Sequence, residues 1–488
     1  MINENLVDKN LTRKITQDWK DWIQLNIDRG CDLDGIYKIL SDEGFDSKDI
    51  ESEMNFVPLV DPSEIINPLK HIDKDNPKIT IYSEPAQKVE QEKIFLPNAD
   101  QLDTRKAEFY TLENFLNADE CDRVTQLIKS KLRPSAIASS GTYDPTFRTS
   151  RTCDLGVLSD PLIADVDRRI CQMMGIDSSF SEIIQGQYYE KGQEFKAHTD
   201  YFEGEQIEQY AKEQGQRTYT FMVYLNEVKQ GGETEFVRLK KAIQPKKGMA
   251  IIWNNLNADG SCNVNTMHHA HPVGRGWKSI ITKWFRTKGN GTMFTKEPNE
   301  YIKNYTEIGF KKDKLNEGLF KKLLAFHSVH QNAKQSEHVE GGYIEVPGTT
   351  QPGSDLIELP EDLRDAIHAS LKKPLEEWSQ IKLLPTFVYG IRVYRKGSVL
   401  NSHRDQLKTH IISAIINIDQ DVEEAWPLVI EDNFYRKHNI FLEPGEIVFY
   451  ESGRLLHGRP IPLKAVSYTH LRAHETLRYR VCRLLLEK

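Results

Sequence analysis

The chain of 488 residues is 39% hydrophobic and 28% charged, with 29 Gly and 21 Pro, the composition of a globular protein too long for one compact domain. A formal charge of −8 argues against a nucleic-acid partner, and no apolar run approaches the roughly 20 residues that span a bilayer. The opening MINENLVDKNLTRK has no apolar stretch resembling a secretory signal, and the six cysteines form no CxxC pair, so a cytoplasmic protein with inert thiols is expected.

In chain order, residues 1–55 read as a small helical module. Ile15, Trp19, Trp22 and Ile23 make one apolar stripe at helical spacing, and Leu33, Ile36, Tyr37 and Leu40 make a second that Gly44 stops. Asp46 with Asp49 three residues on marks a third, short helix. Residues 56–106 are rich in Pro, Asp and Lys and read as a linker, with one strand at 79–82. From 107 to 290, helical segments at 112–132 and 161–174 give way to strands at 183–189, 218–225, 249–253 and 279–285. Residues 291–354 read as a connecting segment. Residues 355–465 repeat the order, with a helix at 361–381 and strands at 387–394, 410–418 and 446–450. The run VSYTHLRAHET at 466–476 and the closing VCRLLLEK resemble a translated sequencing adapter. Residues 466–488 are therefore expected to be an adapter artefact that truncates the second unit and does not pack in it.

The recurrence rests on one template. Tyr189, Gly192, Phe195, His198 and Asp200 have the spacing of Tyr394, Gly397, Leu400, His403 and Asp405, the pattern YxxGxxΦxxHxD. Each copy is followed by an apolar strand, a Pro and Gly turn (Pro245 and Gly248; Pro444 and Gly445) and a distal histidine, His268 or His457. This pattern predicts two units of one kind, each a barrel of antiparallel strands with helices packed outside.

Side chains two apart on a strand share a face, so His198 and Asp200 can offer one imidazole and one carboxylate to a single point. A third ligand from a distant strand completes a triangle of two His and one carboxylate. That set leaves coordination positions open and suits a non-haem Fe(II). Downstream, Lys278 lies ten residues beyond His268 on a strand that can return past the metal.

His198, Asp200, His268 and Lys278, with Tyr189, the run RTYTFMVYL at 217–225 and the turn GGETEF at 231–236, resemble the catalytic domain of prolyl 4-hydroxylases. Those enzymes are Fe(II)- and 2-oxoglutarate-dependent dioxygenases on a double-stranded β-helix. The resemblance covers roughly 107–290. Together with the repeat it implies a mainly β fold with flanking helices: tandem double-stranded β-helix (jelly-roll) domains after the N-terminal helical module. It further implies an oxidoreductase that consumes O₂ and 2-oxoglutarate, releases succinate and CO₂, uses ascorbate as reductant and hydroxylates an unactivated C–H bond. A prolyl residue in a peptide or protein is the family's substrate. Lys278 would pair with the 5-carboxylate of 2-oxoglutarate, to which Tyr189 and Thr220 would donate hydroxyl hydrogen bonds. Lys283 is expected to face solvent and Trp284 to pack in the barrel.

This sequence departs from the family where its Ala-Gly-x becomes His269-Ala270-His271. Aligning Pro272-Val273 with the family pattern puts the distal ligand at His268, with His269 and His271 as alternatives. His403, Asp405 and His457 form a possible second metal site. Ten residues beyond His457, however, is Ser467, inside the adapter-like run, and Arg459 is too close to His457 to be assigned the cosubstrate role. The acidic stretch after Asp200 favours a peptide or a small cation over a nucleic-acid backbone. Two other readings stand beside prolyl hydroxylation: a non-catalytic peptide-binding tandem barrel, and an oxygenase acting on a free amino acid or a modified base.

Overall fold

The computed structural model describes residues 14–28, 33–58, 61–63, 65, 94–135, 146–157, 159–337, 339, 342–407 and 409–477. The strand expected at 79–82 and the tail 478–488 lie outside the described residues. The fold is mainly β with flanking helices. Helices Gln17–Asp28, Leu33–Asp42 and Ser47–Met54 come first. They close on a small core of Ile23, Ile36, Tyr37, Leu40, Phe45, Ile50 and Met54, the apolar stripes of the sequence. Asp46 caps the third helix by accepting from the Lys48 N–H, and Asn55 ends it in the left-handed region.

A first pair of sheets follows. The larger has the strand order Asp100–Gln101, Phe109–Leu112, Ala250–Asn254, Arg217–Tyr224, Lys278–Arg286, Gln185–Tyr189, Arg151–Asp154 and Arg133–Pro134. The smaller runs Lys241–Ile243, Thr234–Phe236, His268–Ala270 and Phe195–His198. The two inner faces form a jelly roll around Phe109, Tyr189, Met222, Phe236, Trp253 and Ile280. Helices Ala118–Ser130 and Pro161–Met174 cover the outer face of the large sheet with Val124, Ile128, Val166 and Ile170. Both begin on strong caps: a reciprocal Asn117–Glu120 capping box in one, Asp160 followed by Pro161 in the other. Gly175, at φ 64, closes the second helix. Leu112, expected to open the helical segment 112–132, instead ends the strand Phe109–Leu112, whose four side chains are largely covered.

A second pair of sheets repeats this plan. The larger runs Phe310–Lys314, Glu446–Tyr450, Ile412–Val422, Ala465–Leu477, Leu383–Arg395, Ser354–Ile357 and Gln335–Ser336. The smaller runs Ile344–Glu345, Val399–His403, His457–Arg459, Leu428–Glu431 and Lys437–Ile440. Two expectations are corrected here. Residues 291–354 are more than a connector: Phe310–Lys314 is an edge strand paired with Glu446–Tyr450, and helix Glu317–His330 puts Leu319 and Leu323 into the second core. The adapter-like run does pack. Ala465–Leu477 lies between Leu383–Arg395 and Ile412–Val422 as a central strand, with Tyr468, Thr469, His470, Leu471 and Ala473 all buried.

The two units touch through a turn. Phe434 and Tyr435 join the first unit's core, and the buried Arg169 guanidinium donates to the Phe434 carbonyl, the Phe115 carbonyl and Glu120. Arg168 adds bonds to Glu431 and to the Tyr435 carbonyl.

Candidate active site

His198 ends the strand Phe195–His198 and pairs across the small sheet with His268, which opens His268–Ala270. Asp200 follows two residues on, so ligand atoms of His198, Asp200 and His268 all lie within 4.8 Å of one another. Backbone carbonyls set both imidazoles. His198 Nδ1 is 2.7 Å from Lys196 O and His268 Nδ1 is 2.9 Å from Thr266 O. A carbonyl only accepts, so each Nδ1 carries the proton and each Nε2 keeps its lone pair for a metal. Burial, then the neighbouring His268, pushes the His198 pKa well below the usual imidazole value. Burial alone would raise the Asp200 pKa, but His268, His198, Arg217 and the Thr220 hydroxyl together hold it below the ordinary carboxylate value. Two imidazoles and one carboxylate are a donor set suited to a divalent iron.

The triangle opens onto a cavity of about 1190 Å³ lined by Tyr189, Arg217, Met222, Trp253, Ile280 and Trp284, among others. Lys278 pairs in register with Tyr189, and its Nζ lies 4.9 Å from that ring. The lysine is fully buried and donates to the Gly232 carbonyl at 2.8 Å. Burial, only partly offset by Glu233, pulls its pKa down to about 7. The Tyr189 hydroxyl is also buried and donates to Gln187 Oε1 at 2.7 Å.

Three expectations change. Thr220 does not face an open pocket with its hydroxyl: Oγ1 donates to Asp200 Oδ2 at 2.7 Å and accepts from Asn255. Its strand pairs with Ala250–Asn254, which sets Thr220 opposite Trp253. Lys283 is buried rather than solvent-facing, held by Asp167 at 2.7 Å and by the Glu182 carbonyl. His269 and His271 point away from the triangle. His269 Nε2 is 2.8 Å from Glu194 and His271 Nε2 is 2.6 Å from Glu235, because neighbours on a strand alternate in face.

Sequence reasoning did not single out the salt-bridged group on the cavity wall. Glu182 accepts both Nε and Nη2 of Arg217, at 2.7 and 2.8 Å, and Nη1 of Arg286 at 2.6 Å. The Arg217 guanidinium sits 3.9 Å from the Trp284 ring. Only the tertiary fold joins these three residues, which are far apart in sequence.

The second unit places His403, Asp405 and His457 in a similar triangle, again within 4.8 Å. The histidines use the same carbonyl clamp, His403 Nδ1 on Asn401 O at 2.8 Å and His457 Nδ1 on Leu455 O at 2.9 Å. Burial, then the neighbouring His403, lowers the His457 pKa to about 3. A guanidinium shares this site: Arg472 Nη2 bonds Asp405 Oδ2 and lies 3.1 Å from His457 Nε2. Arg459 is fully buried, bonded to the Trp426 carbonyl and to the Tyr468 hydroxyl.

Residues 184–286, which carry the first triangle and Lys278, match the family model described as the 2OG-Fe(II) oxygenase superfamily. This segment is a 2OG-Fe(II) oxygenase domain, and its relatives are prolyl 4-hydroxylases at modest identity. The chain is 33% identical over 178 residues to prolyl 4-hydroxylase subunit alpha-2 of Gallus gallus, covering 36% of this chain and 33% of that protein. It is 29% identical over 209 residues to the probable prolyl 4-hydroxylase 7 of Arabidopsis thaliana, covering 38% of this chain and 65% of that protein. It thus spans between a third and two thirds of the length of these two relatives. Among solved structures it is similar to the viral collagen prolyl hydroxylase vCPH from Paramecium Bursaria Chlorella virus-1 in its 2OG complex, at 27% identity and a TM-score of 0.30, over 36% of this chain and 95% of that one.

Proposed function

We propose that residues 107–290 form an Fe(II)- and 2-oxoglutarate-dependent dioxygenase domain that hydroxylates an unactivated C–H bond, with a prolyl residue of a peptide or protein as its substrate. The observation that carries this reading is the convergence of His198, Asp200 and His268 beside a cavity, with a buried lysine, Lys278, on the adjoining sheet. His198 and His268 through Nε2, and Asp200 through a carboxylate oxygen, would hold the iron. When bound, Fe(II) supplies the O₂ chemistry that couples decarboxylation of 2-oxoglutarate to hydroxylation.

The chain's own residues do the rest. Lys278, charged once an anion reaches it, would bind the distal carboxylate of 2-oxoglutarate, with the Tyr189 ring beside it. Trp253, Met222 and Ile280 line the cavity as apolar walls that exclude water from the reacting face. The Arg217–Trp284 stack and residues of the helix Glu205–Tyr210 line the same cavity, where a peptide substrate would enter. Ascorbate is the reductant in this proposal.

Among the described residues no helix is long and apolar enough to cross a membrane. The described free thiols, Cys121, Cys153, Cys171 and Cys262, fit a reducing, cytoplasmic setting. We also propose that the repeated sheet pairs are tandem barrels and that His403, Asp405 and His457 are a second cation site, held by Arg472 in this chain.

The test is turnover of 2-oxoglutarate by the Fe(II)-loaded protein against a panel of proline peptides, free amino acids and methylated bases. Succinate release with a one-oxygen mass gain on a peptide proline is expected. Oxidation of another member of the panel moves the substrate assignment. Binding of peptides without succinate identifies a recognition module.

A further inference from the structure

The first triangle is held by a buried relay that reaches its carboxylate from the far side. Trp253 Nε1 donates to Asn255 Oδ1 at 2.9 Å, Asn255 Nδ2 donates to Thr220 Oγ1 at 2.9 Å, and Thr220 Oγ1 donates to Asp200 Oδ2 at 2.7 Å. All four residues are buried, with Asn255 and Thr220 completely so. The sheet register supports the relay, since Trp253 and Thr220 are direct cross-strand partners.

Its direction is forced. An indole N–H can only donate, so the Asn255 amide must present its oxygen to Trp253 and its NH₂ to Thr220. The threonine oxygen already accepts from Asn255, so its one proton goes to Asp200. Oδ2 is thereby an acceptor committed to the protein, and Oδ1 is left for another ligand. The same indole packs edge-on against the His268 ring at 5.0 Å. One tryptophan therefore braces two of the three ligands, one by contact and one through the relay.

We propose that Trp253, Asn255 and Thr220 are positioning residues that fix Asp200 as a single-oxygen metal ligand. This inference rests on the reading of His198, Asp200 and His268 as a metal site. Without the Thr220 hydroxyl, Oδ2 loses its partner and the carboxylate is free to turn both oxygens toward the cation. That closes a coordination position which a chelating cosubstrate requires.

The experiment is anaerobic Co(II) titration of the full chain, read by affinity and by the visible absorption of the bound ion, with far-UV circular dichroism as a folding check. Partners in this position typically contribute about 10- to 100-fold in metal affinity. Thr220→Val should lose about that much and shift the Co(II) bands, while Thr220→Ser should restore both. Trp253→Phe keeps the ring against His268 and deletes only the N–H, so it should shift the bands in the same direction with a smaller loss of affinity. It also keeps the proposal testable if Thr220→Val fails to fold. Wild-type affinity and spectrum in Thr220→Val, or in Trp253→Phe where Thr220→Val does not fold, overturn the relay alone. A wild-type chain that binds no Co(II) overturns the metal reading and the relay with it.

Discussion

The two pairs of sheets carry nearly the same triangle of two histidines and an aspartate in different surroundings. Both set their histidines with a carbonyl two residues back, and both place the carboxylate two residues beyond the first histidine. What meets that carboxylate differs. Asp200 accepts a neutral hydroxyl from Thr220, whereas Asp405 accepts a guanidinium from Arg472. The residue facing the shared tyrosine position of the template differs as well. Lys278 pairs with Tyr189 in the first barrel, and at the equivalent register Tyr468 pairs with Tyr394 in the second. A donor set is thus insufficient to define a metal centre. The first triangle's carboxylate meets only a neutral hydroxyl donor on its side chain, and the second has a positive charge supplied by the chain.

The largest effect expected is on the first triangle. His198→Ala or Asp200→Ala removes one of three protein ligands and should abolish Fe(II) binding and turnover together. Metal titration of the apo variants beside the wild type checks this, and retained iron affinity would remove the first barrel's claim to be the working one.

Lys278→Ala comes next. It should leave metal affinity nearly unchanged while weakening 2-oxoglutarate binding, because removing one partner of a buried pair costs about 3 to 5 kcal/mol, more than about a hundredfold. The wild-type affinity should also depend on pH. Burial lowers the Lys278 pKa from 10.5 to about 7, so the ammonium that an anion needs is present below that value and absent above it. Affinity should be flat below pH 7 and fall about tenfold per unit above it. Calorimetry from pH 6 to 9 measures this, and a flat profile would place the cation elsewhere.

Arg472→Ala tests the second barrel directly. Without the guanidinium, Asp405 and His457 lose their internal cation, and Co(II) uptake should rise from one to two ions per chain. An unchanged count would mean that something other than Arg472 keeps metal out.

The convergence of the two triangles was legible because its signal is local. An HxD on a strand, a distal histidine and a lysine ten residues on can be read as spacing, and the repeated template gave the second triangle at the same time. The strand Phe310–Lys314 was not legible. Its side chains are exposed apart from the partly covered Phe310, so it has no apolar alternation to betray it, and only its pairing with Glu446–Tyr450 makes it a strand. The packing of Ala465–Leu477 was missed for a different reason: the origin inferred for the segment was allowed to decide its structure, and the run shows no two-residue alternation, since Thr469 and His470 are buried along with Tyr468, Leu471 and Ala473. The target of Thr220 was beyond sequence reasoning altogether. It depends on how the packing of the two sheets sets the turn after His198, which carries Asp200, against Arg217–Tyr224.

The smallest effect expected is the one that separates His268 from its neighbours. His269 lies beside a ligand in sequence but is bonded to Glu194 on the other face of the strand. The second barrel has performed the comparison already, since the residue after His457 is Gly458, which has no side chain to offer, and the triangle there is intact. A side chain at this position is therefore unnecessary for bringing three ligands together. His269→Ala and His271→Ala should each leave Co(II) affinity within about twofold of wild type, the range of an ordinary surface substitution. His268→Ala should lose the metal. A large loss in His269→Ala with binding retained in His268→Ala would move the distal ligand by one residue and reverse the face that this strand presents to the cavity.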